Sequence, residues 1–278
     1  MRSLLTLLFL TLVGTCARAQ NAPAPSPFPT PVNDLTAERA DARRPPLPQP
    51  PPRAADIVWQ ERTWREIDVR EKMNLPFAHP ERPLVSILLE AAERGEIQLY
   101  GTIDDRFTTP LTAAELTAIK GRNDTVPVVD PQTQQVRYEV VARDFDPRRV
   151  TRYRLQELWY TDRNSSRMQV RILGLAPIVE ERDENGNYQY TAPLFWTYLP
   201  AARPVLAREA AFVNSNERAG VSWDDVFLLR RFASKVTKQG NVLNRRIEDY
   251  VPAGRDRLLV AERKERERLG RESDLWEW

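Results

Sequence analysis

Two runs in the middle of the chain, RYRLQELWYTD (152–162) and SRMQVRILGLAPIVEE (166–181), alternate apolar with polar side chains and meet at RNSS. A side-chain period of two belongs to a strand, and a short polar break between two such runs belongs to a hairpin. Leu155, Glu157 and Trp159 share one parity; Val170, Ile172 and Gly174 share another. A pair this long has to be the spine of an antiparallel sheet, which the remaining segments must cover. A second turn, DENGNYQ, carries Asn185-Gly186, a strong hairpin dipeptide, and PLFWTYLP (193–200) is a further strand candidate.

Helices are expected on either side. PLVSILLEAAERGEIQLYG predicts a helix from Pro83 to Glu93, with proline in its first turn, Gly95 as its stop and a short strand at 97–100. LTAAELTAI (111–119) is a small helix whose Thr112 and Glu115 have capping-box spacing. SWDDVFLLRRFASKV predicts a helix over 222–236, with Ser222 as N-cap and a Val226, Leu229, Ala233 stripe. The tail from Arg255 reads as helical to about Leu269, laced by Glu262–Arg266 and Glu267–Arg271 pairs. WQERTWREIDVREKMN (59–74) fits neither period: helical spacing selects Ile57, Trp64 and Ile67, alternation selects Thr63, Arg65, Ile67 and Val69. Only a short helical turn near 70–74 is expected there. The fold class is α+β: mainly antiparallel sheet with hairpins and several helices, an extended proline-rich N-terminal arm and a charged C-terminal helix.

The organisation follows from composition. Residues 1–19 have an Arg2 n-region, an apolar run from Leu4 to Val13 and Ala17-Arg18-Ala19, the pattern of a cleavable signal peptide, so export to the periplasm is expected. The run is too short for a bilayer span of roughly 20 residues. Cys16 as a lipidated residue is the rival reading, with Thr15 where a small residue would be expected. Eleven of the 23 prolines fall within 20–53, so 20–54 reads as a polyproline-II-like arm. A globular α+β domain is expected over 55–253 and a charged helical arm over 254–278. Cleavage would remove the single cysteine, Arg2 and Arg18, so the 41 basic residues become 39, matching the 39 acidic ones. A chain of zero net charge with both signs finely mixed lacks the basic stripe of a nucleic-acid binder. No second long apolar segment predicts a membrane span.

The usual signs of catalysis are missing. His79 is the single histidine, set in PFAHPERP; Ser86 or Ser222 could meet it, but no G-x-S-x-G elbow is present. No phosphate-cradling glycine motif occurs, and without further histidine or cysteine a zinc site would lack its customary ligands. DDRFTTP and DENGN depart from calcium-loop spacing. Paired carboxylates remain, at Asp104-Asp105, Glu180-Glu181 and Asp224-Asp225, where helix capping and turns explain the adjacency. No catalytic, cofactor or metal residue is expected. The seven tryptophans stand out, at 59, 64, 159, 196, 223, 276 and 278. Trp159 and Trp196 are expected in the core. Trp59, Trp64 and Arg65 near one end, with Trp276 and Trp278 at the other, are candidate interface residues, since Trp and Arg dominate interface hot spots. The alternative is that the two ends fold back and cover each other.

Several stretches together, VWQERTWREIDVREKMNLPF, DRFTTPLT, YRLQELWYTDRNSSRMQVRILGLAPI, PLFWTYLPAARPVLA and DLWEW, resemble the GldN/PorN family of the Bacteroidetes gliding-motility and type IX secretion machinery. The resemblance runs from about residue 55 to 278. It implies a non-enzymatic structural subunit without cofactors, lying in the periplasm at the inner face of the outer membrane. There it would self-associate in a ring with a GldK/PorK-like outer-membrane lipoprotein and face the GldL–GldM/PorL–PorM motor, contacting a GldM/PorM-like periplasmic domain. Two other classes stay open on the residues alone: a periplasmic peptidoglycan- or polysaccharide-binding module, and a carboxylate-based hydrolase.

Overall fold

A computed structural model describes residues 45–129, 136–165, 167–182, 187–212, 220–252 and 254–274. The expected signal peptide, most of the proline-rich arm, Asn185-Gly186 and Leu275 to Trp278 lie outside the described residues. The fold class is as expected, α+β on an antiparallel sheet.

Alternation decides the ambiguous segment: β1 is Ile57–Asp68, a strand throughout. Thr63, Arg65, Ile67 and Val69 are all buried, the set that a period of two selects. The helical turn expected after it is a 3-10 segment, Lys72–Ala78. The hairpin spine is β5 (Val150–Asp162) and β6 (Arg167–Arg182). With β2 (Leu99–Tyr100), β7 (Tyr188–Pro193), β8 (Trp196–Tyr198) and β9 (Lys235–Gln239) they form a seven-stranded sheet in the order β2-β8-β6-β5-β1-β9, β7 pairing β6. Two nine-residue strands, β3 (Gly121–Val129) and β4 (Val136–Asp144), form a separate ribbon.

Two bulges fix which side chains share a face. On β6, Gln156 pairs with Gly174 but Glu157 with Ile172, so Leu173 is extra. On β9, Trp64 pairs with Lys238 but Arg65 with Val236, so Thr237 is extra; its hydroxyl bonds the Trp64 carbonyl at 3.3 Å. Residues of one parity therefore part company at each bulge. The shared face expected of Ile172 and Gly174 is corrected here: Ile172 packs into the main core, whereas Gly174 turns to the opposite face beneath Phe107 and Trp196.

The main core lies where α1 (Leu84–Glu93), α3 (Leu199–Leu206) and α4 (Trp223–Leu228) cover the odd-numbered face of β1 and β5 through Ile67, Tyr153 and Leu155. α1 begins at Pro83, which has no side chain to cap it; the Val85 N–H instead donates to the buried Tyr153 hydroxyl at 3.1 Å. Gly95, at φ +70, ends it, with Glu96 N–H closing onto the Ala91 carbonyl. α2 (Ala113–Lys120) has the expected capping box, both Thr112 and Glu115 contributing.

α4 is shorter than expected. It stops after Leu228 because Arg230 sits at φ +52 and the Arg231 N–H turns back to the Val226 carbonyl. Leu229 of the expected stripe is exposed. α3 begins within the segment expected to be strand, carrying Pro200 in its first turn and Pro204 further along. α5 (Arg255–Asp274) extends past the expected end at Leu269. The last residues of the arm, 45–53, lie against this same chain: the Gln49 carbonyl accepts from Arg171 of β6 at 3.1 Å.

Candidate functional site

Trp64 and Arg65 are neighbours whose side chains leave β1 in opposite directions, and each organises one face of the sheet. Arg65 is 7% exposed on the helix-covered face. Its guanidinium donates to the Ser234 hydroxyl at 2.9 Å and to Glu265 of α5 at 2.6 Å. Beside it the fully buried Glu157 lies 2.8 Å from Arg230, an ion pair too oblique for a hydrogen bond, and accepts from the Trp159 indole N–H at 2.9 Å. The Arg268 guanidinium stacks 3.8 Å from the Trp159 ring centre, and Arg271 lies 5.1 Å from that of Trp59. Burial holds the Arg268 pKa below the usual guanidinium range, with Glu265 opposing the shift. α5 is thus joined to the sheet along a seam of stacked and paired charges, supplemented by Ala261, which packs with Val236 and Ile247.

The opposite face carries a cleft. Trp64 and Trp196, packed against Ala176, form its apolar floor. Gly174 leaves a dimple there that the Phe107 ring fills: a Cβ at 174 would come within 2.7 Å of it. Phe107 stands edge-on to Trp196 and anchors the loop between β2 and α2, which the Gln156 amide also holds through the Asp105 carbonyl at 3.0 Å. Between this loop and the one after β9 lies an open cleft of about 820 Å³, lined by Arg62, Arg106, Arg154, Lys238 and Arg246 against Asp104 and Asp105. Arg154 is committed to Glu66 at 2.7 Å and Arg246 to Glu248 at 3.1 Å. Among the described residues no acid pairs with Arg62, Arg106 or Lys238. The Lys238 ammonium sits 3.9 Å from the Trp64 ring centre, and burial lowers its pKa.

The expected interface residues are therefore distributed. Trp64 is 8% exposed and, with Arg65, spends most of its surface inside the chain. Trp59 is half-buried beneath Arg271. Trp276 and Trp278 lie outside the described residues. Trp196 is in the core as expected; Trp159 is half-buried between sheet and arginines. The candidate catalytic groups have ordinary partners. His79 Nδ1 accepts from the Arg82 N–H at 3.3 Å and its ring packs on Phe212, while the Ser222 hydroxyl bonds Asp225. Asp225 completes the helix cap, whereas Asp224 is buried against Arg203 at 2.7 and 2.9 Å, a role that capping did not suggest. Glu181 binds Arg149 and Glu180 approaches Arg152. Among the described residues no group of three or more His, Cys, Asp or Glu is placed to hold a metal, and no helix is long and apolar enough to cross a membrane. Sequence reading missed Lys238, Arg230 and Arg268, because a cation amid other charges reads as solvated unless the bulge or helix that buries it is known.

Fold and site together define an α+β protein built on an antiparallel sheet, with a cationic cleft on one face and a charge-sealed helix on the other. The chain matches the family model of gliding motility associated protein GldN over residues 52–277, nearly all of the described fold, and it belongs to the GldN family. No curated protein matches it.

Proposed function

We propose that the chain is a non-enzymatic structural subunit of a periplasmic ring in the type IX secretion and gliding-motility machinery. In this reading it is exported through the signal peptide at 1–19. It self-associates and binds a GldK/PorK-like outer-membrane lipoprotein, and its other side faces the GldM/PorM-like domain of the motor. The family match carries the reading. Chemistry supports it: the buried acids Glu157 and Asp224 are each ion-paired with an arginine of the fold.

The test is made on native envelopes: the tagged chain is extracted gently and imaged by negative-stain electron microscopy, with mass spectrometry of what co-purifies and of the chain's N-terminus. Rings containing a lipoprotein, with a chain starting at Gln20, are expected. A lone monomer that hydrolyses cell wall or glycan would overturn the proposal.

A further inference from the structure

The cleft has the chemistry of a peptide site. Arg62, Arg106 and Lys238, which form no salt bridge among the described residues, line a cleft floored by tryptophan, outnumbering with Arg154 and Arg246 the Asp104 and Asp105 beside them. At its rim Ile103 is 91% exposed, and the loop after β9 holds Val242 and Leu243 in solvent. That loop is braced from within, Asn241 bonding the Gln239 and Arg245 carbonyls and the Arg245 N–H. Its aliphatic tip is therefore held out, not merely slack. At about 820 Å³ the cleft falls in the ~300–1,000 Å³ range of ligand sites. Its complement is an anionic segment with large apolar side chains.

One segment of this same chain has that composition. Residues 272–278, ESDLWEW, set Glu272, Asp274 and Glu277 among Leu275, Trp276 and Trp278, with no base. We propose that the cleft of one copy receives residues 275–278 and their flanking acids from a second copy. A second copy is required by the route of α5. Its contacts with Arg65, Trp159 and Trp59 put it on the face of the sheet away from the cleft. Packed layers lie ~10 Å apart, and residues 275–278 span at most about 14 Å. From Trp59, which Arg271 covers, the floor at Trp64 lies five residues, or ~17 Å, along β1 and on the opposite face, farther than four residues reach. A helix end on one face and a receptor on the other make a heterologous, head-to-tail contact, the kind that closes into rings when the rotation per subunit allows. The inference rests on the self-association in the proposed function and gives it an address.

The experiment titrates a labelled peptide of residues 271–278 into the full chain carrying Trp276→Ala and Trp278→Ala, read by fluorescence anisotropy. Saturable binding is expected, weakened at least about tenfold by Arg62→Glu with Arg106→Glu. Both residues are exposed, and unchanged circular dichroism checks the fold. A peptide with Asp274→Lys and Glu277→Lys should bind the parent cleft poorly and regain affinity for the charge-reversed one. A photo-crosslinker at position 276 of one tagged copy should then label the cleft of a differently tagged copy. Absence of binding, indifference to both charge swaps, crosslinks confined to one copy, or capture of an acidic glycan in place of the peptide each overturns the assignment. Rings in envelopes alongside a cleft that ignores the peptide would sink this contact and leave the structural proposal intact. A cleft that takes the peptide in a chain that forms no ring would do the reverse.

Discussion

At the scale of single residues, buried charge dominates. Glu157 is fully buried between Arg230 and Trp159, so Glu157→Ala strands a cation and should cost about 3 kcal/mol or more in urea unfolding. Arg230 pays for that ion pair with a left-handed backbone that an arginine adopts reluctantly. Two substitutions separate the effects: Arg230→Ala loses the pair and keeps the strain, whereas Arg230→Gly loses the pair and relieves it. The glycine variant should be the more stable by about 1 kcal/mol, and equal stabilities would show that φ is not a constraint there. Asp68 supplies the pH signature. The Arg70 side chain, through its hydrogen bonds, holds the Asp68 carboxyl down at about 2. A depressed carboxylate contributes stability above its unfolded pKa of about 4 and loses it as pH falls through the folded value. Arg70 is largely exposed, so the contribution is about 1 kcal/mol or less. Asp68→Asn should therefore destabilise at pH 7 and become neutral near pH 2, as chemical denaturation at the two pH values will test.

At the scale of elements, the two kinds of helix attachment differ. α1 presents Leu84, Val85, Ile87, Leu88, Leu89 and Ala91 to the core and is started by a tyrosine hydroxyl from the sheet. Burial raises the pKa of that hydroxyl, which keeps it neutral at any ordinary pH. Tyr153→Phe leaves the Val85 N–H without an acceptor and should cost about 1–2 kcal/mol, and a neutral result would mean that the N–H finds another partner. α5 has few buried apolar side chains and is held by Arg65–Glu265 and the arginine–tryptophan stacks. Arg268→Met keeps the aliphatic stem and removes the charge. Hydrogen exchange should then accelerate across 255–274 while β5 and β6 stay protected; uniform protection of both would refute the seam.

The same contrast explains what could be read from the chain beforehand. α1, the capping box of α2 and the β5–β6 hairpin were legible because apolar periodicity or a local cap specifies each without help from elsewhere. The length of α4, the strand character of β1 and the helix at Leu199–Leu206 were not. α4 ends where Arg230 reaches across the sheet to Glu157, seventy-odd positions away in the chain, and α3 tolerates prolines that local rules would keep out of it. Of the candidate site, the unusual content of Trp and Arg was visible in the sequence; which way each one points was not, since a bulge reverses parity without leaving a mark in the pattern.

On the scale of the whole molecule, those bulges matter together. Trp64 pairs with Gln156, so the extra residue on β9 and the extra residue on β6 fall at one level, on either side of the β1–β5 ladder. Deleting Thr237 would force Val236 or Lys238 to the wrong face. It should cost several kcal/mol, well beyond the ~1 kcal/mol of an average substitution, when unfolding is followed in denaturant. A deletion variant of undiminished stability would mean that β9 simply re-registers. Two bulges side by side make a crease, and a creased sheet flexes most easily about its fold line. The floor of the cleft and the seam of α5 lie back to back on that line. Strain placed on α5 on one face would therefore reach the floor of the cleft on the other as a change in the curvature of the sheet.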